Sequence, residues 1–242
     1  MIKSLSIILP LYNEEKRIKK TFSDIFEFKK KSKIKFLEFV LVDDGSTDNS
    51  HQLIQNFIKK YKKNNFFKLI KMSKNRGKGA ALKRGVKAAS AKWILTSDID
   101  FSVSLFEIEK WLKKKYINNT NQVYFGSRPH VNSKVESKIY RKIIGNFLSL
   151  MNLFFLRINI KDTQCGFKLY KKIIAKDVFS KIKFLGYEHD IELVLLLTKS
   201  NIKIVELPVT WKHAPFSKVN VITDSIKIFI NFFLIKIKYL NS

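Results

Sequence analysis

The chain has 242 residues, 45% hydrophobic and 13% aromatic, enough to bury a full core, which excludes a disordered polypeptide. Its formal net charge of +27 attracts polyanions, either nucleic acid or anionic membrane headgroups, although lysine-rich compositional drift gives the same charge. The single cysteine, Cys165, rules out an internal disulfide and fits a reducing compartment.

Along the first half, short β-branched runs alternate with longer amphipathic stretches, the pattern of βαβ units around a mostly parallel sheet. The apolar run at the N-terminus is too short for a signal peptide and a turn follows it, so a cytoplasmic origin is expected. Leu5–Leu11 reads as a buried strand and Glu14–Phe28 as the helix after it. Next come a strand at Phe36–Val42, a helix from about Thr47 to Tyr61 and a strand at Phe67–Met72. Lys78–Ala89 is expected to be helical, and Trp93–Ser97 and Val123–Ser127 to be strands. Ser104-Leu-Phe-Glu107 has capping-box spacing and predicts a helix start.

In the second half, Ile139–Leu156 is an apolar helical stretch that suits either a core helix or an interfacial one. Asp162–Tyr170 reads as a polar loop, Glu188–Lys199 as a helix and Lys203–Trp211 as a strand. Ile226–Leu240 combines Ile and Phe with lysines at 227, 236 and 238. That is too short and too charged to span a bilayer, which needs about 20 apolar residues. An amphipathic helix lying in the interface fits better, with lysines toward anionic lipids. One α/β domain over residues 1–220, followed by a membrane-associating tail at 221–242, is the simplest organisation.

Ligands of open α/β sheets bind beyond the carboxyl ends of the strands. Three polar clusters fall there: Pro10-Leu-Tyr12-Asn-Glu14, Asp43-Asp44-Gly-Ser46 and Asp98-Ile-Asp100. Alone, Asp-Gly-Ser is a common turn, and a lone Asp-x-Asp is weak. If Asp98 and Asp100 continue the strand, they share a face, and neighbouring carboxylates then ask for a cation between them. Hard oxygen ligands suit Mg²⁺ or Mn²⁺.

The residues carrying these clusters resemble glycosyltransferase family 2, on the GT-A fold. The match comprises Ile-Ile-Leu-Pro-Leu-Tyr-Asn-Glu-Glu at 7–15, Val-Asp-Asp-Gly-Ser-Thr-Asp at 42–48, Asn-Arg-Gly-Lys-Gly-Ala-Ala at 75–81 and Ser-Asp-Ile-Asp at 97–100. Gly126-Ser-Arg128, Asp162-Thr-Gln-Cys-Gly-Phe-Lys168, Pro208-Val-Thr-Trp211 and Ser217-Lys218 are similar to the dolichyl-phosphate β-glucosyltransferases. Polyprenyl-phosphate mannosyltransferases using GDP-mannose are the near alternative. The resemblance implies a Rossmann-like sheet with a nucleotide-binding half at 1–130 and an acceptor half at 131–220.

By position, the resemblance implies that Pro10, Tyr12, Glu14, Asp44, Lys78 and Asp98 bind the nucleotide. Asp98 and Asp100 would hold the metal, and Gln164 would line the sugar and acceptor pocket. Arg128, Lys168 and Lys218, with Arg141 as a further candidate, would position the acceptor phosphate. The family often has Asp-Ala-Asp where this chain has Asp98-Ile99-Asp100. Its eukaryotic members carry an extra N-terminal anchor, which leaves the mode of membrane attachment and the choice of dolichol or bacterial polyprenol open.

The implied reaction is inverting displacement on a nucleotide-sugar, most simply UDP-glucose, at the cytoplasmic face of a membrane. A lipid monophosphate, with a second pKa of about 6, is already ionised at neutral pH and needs cations more than a base. Asp190 and Glu192 are candidates for a base or pocket acid, or for acids favouring a helix N-terminus. His189 reads as structural or solvent-facing and Cys165 as a packing residue, neither as a metal ligand. A basic nucleic-acid-binding protein would explain the charge but not the acids at the strand ends, so no nucleic-acid partner is expected.

Overall fold

The computed structural model describes residues 2–61, 66–118, 120–136, 158–213 and 232–239, together with positions 145, 149, 150, 153 and 230. Arg141, Lys218, nearly all of Ile139–Leu156 and the start of Ile226–Leu240 lie outside the described residues. The strands are β1 (Ser4–Leu11), β2 (Phe36–Asp43), β3 (Phe67–Lys71), β4 (Trp93–Thr96), β5 (Val123–Ser127), β6 (Lys134–Glu136), β7 (Lys168–Lys171), β8 (Ile204–Pro208) and β9 (Thr210–Lys212). The helices are α1 (Ile18–Lys31), α2 (Ser50–Lys60), α3 (Lys78–Ala88), α4 (Glu107–Lys113), α5 (Lys172–Lys181), α6 (His189–Lys199) and α7 (residues 232–239).

Seven strands form one sheet in the order β3-β2-β1-β4-β7-β5-β8. β1 runs parallel to β2 and β4, and β7 lies antiparallel between β4 and β5. β6 and β9 pair in a small second sheet. The apolar run of β1 is continuous because both faces are covered. Ile7 and Leu9 pack into one core with Phe22, Phe28 and Trp111, whereas Ile8 faces Val42, Leu82 and Val86 on the other.

α3 packs close to the sheet through Gly85, where a Cβ would stand 2.3 Å from Ile8 Cγ2. Gly85→Ala is therefore expected to overpack this face and destabilise by about 1–3 kcal/mol. Thermal melting should show a drop of roughly 2–4 °C for each kcal/mol at this chain size.

Several boundaries depart from the sequence expectation. α1 starts at Ile18 instead of Glu14 and α2 at Ser50 instead of Thr47, because the intervening groups hold the two loops together. Asn13 takes a left-handed backbone (φ 55), and its side-chain oxygen accepts the N–H groups of Thr47 (2.8 Å) and Asp48 (3.3 Å). The capping box at Ser104 does not form: Ser104 Oγ accepts the Phe106 N–H, the Glu107 carboxylate meets Lys110, and α4 begins only at Glu107. The polar 162–170 loop ends in β7, in the middle of the sheet, and α5 follows directly, an element without a sequence expectation. Lys203–Trp211 divides at Pro208 into β8 and β9, which belong to different sheets.

α7 buries Phe232 and Ile235 in the core, and its Tyr239 hydroxyl donates to Glu192 (2.5 Å). Its other face leaves Phe233, Leu234 and Ile237 exposed, beside exposed Ile230. Among the described residues, no helix is long and apolar enough to cross a membrane.

Candidate active site

The loops after β1 and β2 meet above the sheet. Pro10 lies within β1 opposite Val42, Tyr12 projects to solvent, and Glu14 pairs with Arg17 while its N–H donates to Ser50 Oγ (2.7 Å). Asp44 is buried, and its two carboxylate oxygens accept the N–H groups of Arg76 (2.9 Å) and Gly77 (2.7 Å). Burial, with help from Asp43, pushes the Asp44 carboxyl above its ordinary value, against the pull of those two donors. Gly77 has φ 99, a conformation that favours glycine, and a Cβ there would lie 2.5 Å from Leu185 O.

Gly77 leads directly into Lys78, whose Nζ donates to Asp98 Oδ1 at 2.6 Å. Asp98 and Asp100 do not continue the strand, the condition on which they would share one of its faces. β4 ends at Thr96, and the two acids occupy the turn beyond it, closed by Phe101 N–H on Asp98 O and by Phe101 at φ 48. Asp100 Oδ1 accepts the Ser102 N–H at 3.0 Å, which braces the turn. Gly166 abuts the Asp98 carboxylate so closely that a Cβ would fall 2.5 Å from Oδ2, and Thr96 Oγ1 holds the Gly166 carbonyl at 3.0 Å.

A second layer lies beneath. Lys168 is almost fully buried and its ammonium bonds the Asp190 carboxylate. Lys168, a candidate for the acceptor phosphate by its charge, directs that charge inside the protein, to Asp190 and over the Phe125 ring. Asp190 is buried too; burial alone would raise its carboxyl, but His189, Lys168 and Lys78 outweigh that and hold it below the usual range. Burial holds the His189 imidazole below its ordinary value, and the ring packs against Gly79, where a Cβ would meet His189 Cβ at 2.7 Å. Glu192 accepts the N–H groups of Lys183 and Phe184, so it pins that turn to α6.

On the far side, Arg128 grips Asp162 with a two-point fork, Nε to Oδ2 at 2.7 Å and Nη2 to Oδ1 at 2.8 Å. Against the cost of burial, Arg128 holds the Asp162 carboxyl below the usual carboxylate range. Asp162 also accepts the N–H groups of Gln164 and Cys165, which shapes the loop that presents Gly166. Gln164 Nε2 is buried and makes no hydrogen bond among the described residues. Burial pushes the Cys165 thiol up to about 12, so it packs as an inert group.

These contacts join the separate motifs into one cluster: Asp44 holds Gly77, the adjacent Lys78 holds Asp98, and Asp98 rests on Gly166. Among the described residues, no three His, Cys, Asp or Glu side chains converge to form a closed metal cage. Asp98 and Asp100 nevertheless suit Mg²⁺ or Mn²⁺, which bind through one or two carboxylates when substrate phosphates complete the coordination. The Asp98 side chain is 43% exposed, as that role requires.

The sequence pattern of Glycosyl transferase family 2 matches residues 6–179, which contain all of these groups except those of the 183–192 segment. The chain belongs to glycosyl transferase family 2. It is therefore a glycosyltransferase. The dolichyl-phosphate beta-glucosyltransferase of Saccharomyces cerevisiae is 34% identical over 98% of this chain and 75% of its own length. The Dictyostelium discoideum protein of the same name is 33% identical over 98% and 75%, and the Homo sapiens one 29% over 90% and 70%. Among solved structures, glucosyl-3-phosphoglycerate synthase from Mycobacterium tuberculosis, in complex with Mn²⁺, uridine-diphosphate and glucosyl-3-phosphoglycerate, superimposes with a TM-score of 0.69. It covers 97% of this chain and 80% of its own at 14% identity, a likeness of GT-A fold.

Three positions of this family-2 site escaped sequence reasoning: Asp162 as the partner of Arg128, Gly166 beneath Asp98, and Glu206, which receives the Asp162 N–H and the Ser127 hydroxyl. The Asp-Thr-Gln-Cys-Gly spacing pointed to a loop, but close approach between distant segments leaves no local signature.

Proposed function

We propose that this family-2 enzyme transfers glucose from UDP-glucose to a dolichyl or polyprenyl phosphate, with inversion, to give a β-linked lipid-phosphate sugar. The observation that carries the reading is the link from Asp44 through Gly77 and Lys78 to Asp98, which gathers the nucleotide-side and carboxylate motifs at one sheet edge. The names of the relatives support the acceptor and sugar, and the uridine-diphosphate and Mn²⁺ in the structural neighbour support the donor class.

Asp98 and Asp100 would hold Mg²⁺ or Mn²⁺. A bound divalent ion supplies charge neutralisation for a departing diphosphate. Pro10, Tyr12, Glu14 and Asp44 would bind the nucleoside. Arg128 keeps 34% of its side chain exposed while Asp162 fixes its orientation, so it can meet the acceptor phosphate as a pre-set fork. Arg141 and Lys218 remain proposed partners of that phosphate. Because the phosphate is already ionised, no base is required, and Asp190, buried and acid-shifted, serves as a positioning residue instead. Gln164 would offer its buried amide to a sugar hydroxyl.

Gly166→Ala should displace the Asp98 carboxylate and lower kcat/KM about 100-fold, the scale of an ångström-sized misplacement. Steady-state kinetics beside a thermal melt checks this: unchanged kinetics in a folded variant would refute the packing argument.

The apolar face of α7 fits peripheral attachment to anionic lipid at the cytoplasmic membrane face, with residues 221–242 as the attaching tail. Leu234→Asp with Ile237→Asp should reduce co-sedimentation with anionic vesicles by about tenfold.

The deciding experiment incubates purified protein with polyprenyl phosphate and a panel of UDP- and GDP-sugars, with Mg²⁺, Mn²⁺ or EDTA. UDP-glucose turnover that EDTA removes, with a β-anomeric product, is expected. Full turnover in EDTA, an α-linked product or turnover of GDP-mannose alone would overturn the assignment.

A further inference from the structure

Lys78 occupies an electrostatically awkward position. It opens α3, where the helix dipole is positive, and no acid in the first turn offsets it. Its backbone is held on both sides, by Gly77 N–H on Asp44 (2.7 Å) and Gly79 N–H on Leu185 O (2.8 Å). Freedom therefore resides in the side chain, which is mostly buried and directed at Asp98. Asp190 lies in the same field and already bonds Lys168. Asp98 and Asp190 are thus each matched by a lysine, and a divalent ion approaching Asp98 meets an ammonium already in place.

We infer that Lys78 is a displaceable counter-ion, which occupies Asp98 until a nucleoside diphosphate arrives and so makes divalent-cation binding conditional on the donor. The inference rests on the reading of Asp98 as a metal ligand. A divalent ion that reached Asp98 alone would leave the ammonium stranded beside it, and the two positive charges repel. A diphosphate brings compensating negative charge and a new acceptor for Nζ, since a lysine binds phosphate as a point charge on a flexible stem. Metal and nucleotide then bind with mutual reinforcement, and linkage requires the effect to be reciprocal. Lys78 in this reading is more than a nucleotide contact: it couples the binding of the metal to that of the nucleotide.

The test is Mn²⁺ binding, read from the electron paramagnetic resonance signal of free Mn²⁺, with and without UDP and without any turnover. Wild-type protein should bind Mn²⁺ at least about tenfold more tightly when UDP is present, within the usual range of site–site coupling. Lys78→Met, which keeps the stem and removes the charge, should bind Mn²⁺ alone about tenfold more tightly than wild type and lose most of the UDP enhancement. Lys78→Gln should behave alike, and melting curves for both variants verify folding. Unchanged or weaker Mn²⁺ binding by the two folded variants overturns the counter-ion role. Asp98→Asn separates the two readings. If it abolishes Mn²⁺ binding while the Lys78 variants match wild type, only this inference fails; if it leaves Mn²⁺ binding intact, the metal-ligand reading fails with it.

Discussion

Asp98→Asn should lower kcat/KM for UDP-glucose by about 10²–10³-fold or more, the scale seen when one charge-stabilising group is removed from a transition state. The substitution is nearly isosteric, so the turn after β4 and its packing on Gly166 should survive. What disappears is the negative charge that faces Lys78 at 2.6 Å and that would hold a divalent ion. Asp100→Asn should show a comparable loss, since Asp100 keeps one oxygen on Ser102 and offers the other outward in the proposed role. Steady-state release of UDP across an Mn²⁺ titration checks both, with melting curves as the folding control. A loss smaller than tenfold in either variant would remove the carboxylate pair from the reaction.

The largest effect on stability is expected at Asp190. Asp190→Ala strands the Lys168 ammonium in the interior, and breaking a buried ion pair by deleting one partner costs about 3–5 kcal/mol. For a chain of this size that is a fall in Tm of roughly 6–20 °C. Asp190→Leu combined with Lys168→Met should recover much of it, because an apolar pair of similar volume replaces the charges without leaving one unpaired. Acid unfolding gives an independent measurement. The folded Asp190 carboxyl sits below its unfolded value, so its contribution is complete above about pH 4 and is lost as the pH falls through the folded-state value. His189, also depressed in the fold, acts in the same direction, with loss beginning as the pH falls below about 6.5. In Asp190→Asn the acid limb of the stability curve should flatten. An equally steep limb would mean that the pair contributes nothing to it.

The boundaries of α1 and α2 show where pattern reading ran out. Periodicity carried both helices too far toward their N-termini, because Asn13, Ser46 and Ser50 look equally suited to a first turn. Contacts between residues more than thirty positions apart make them a loop-to-loop clasp. β7 shows the same limit: lysines at both ends of Lys168–Lys171 hide a central strand, and a carboxylate on a later helix, Asp190, makes the burial of Lys168 tolerable.

By itself the amino-acid order determined the alternating α/β architecture, the family, and the acids beyond strands β1, β2 and β4. Those properties are written in runs of neighbouring residues, where strand burial and loop polarity follow from local composition. Tertiary structure alone decided which charges face the site and which neutralise one another: Lys78 on Asp98, Lys168 on Asp190, Arg128 on Asp162. The reason is physical. A charge's role depends on its partner and its burial, and each of these pairs joins segments at least twenty residues apart that only the folded sheet brings within hydrogen-bonding distance.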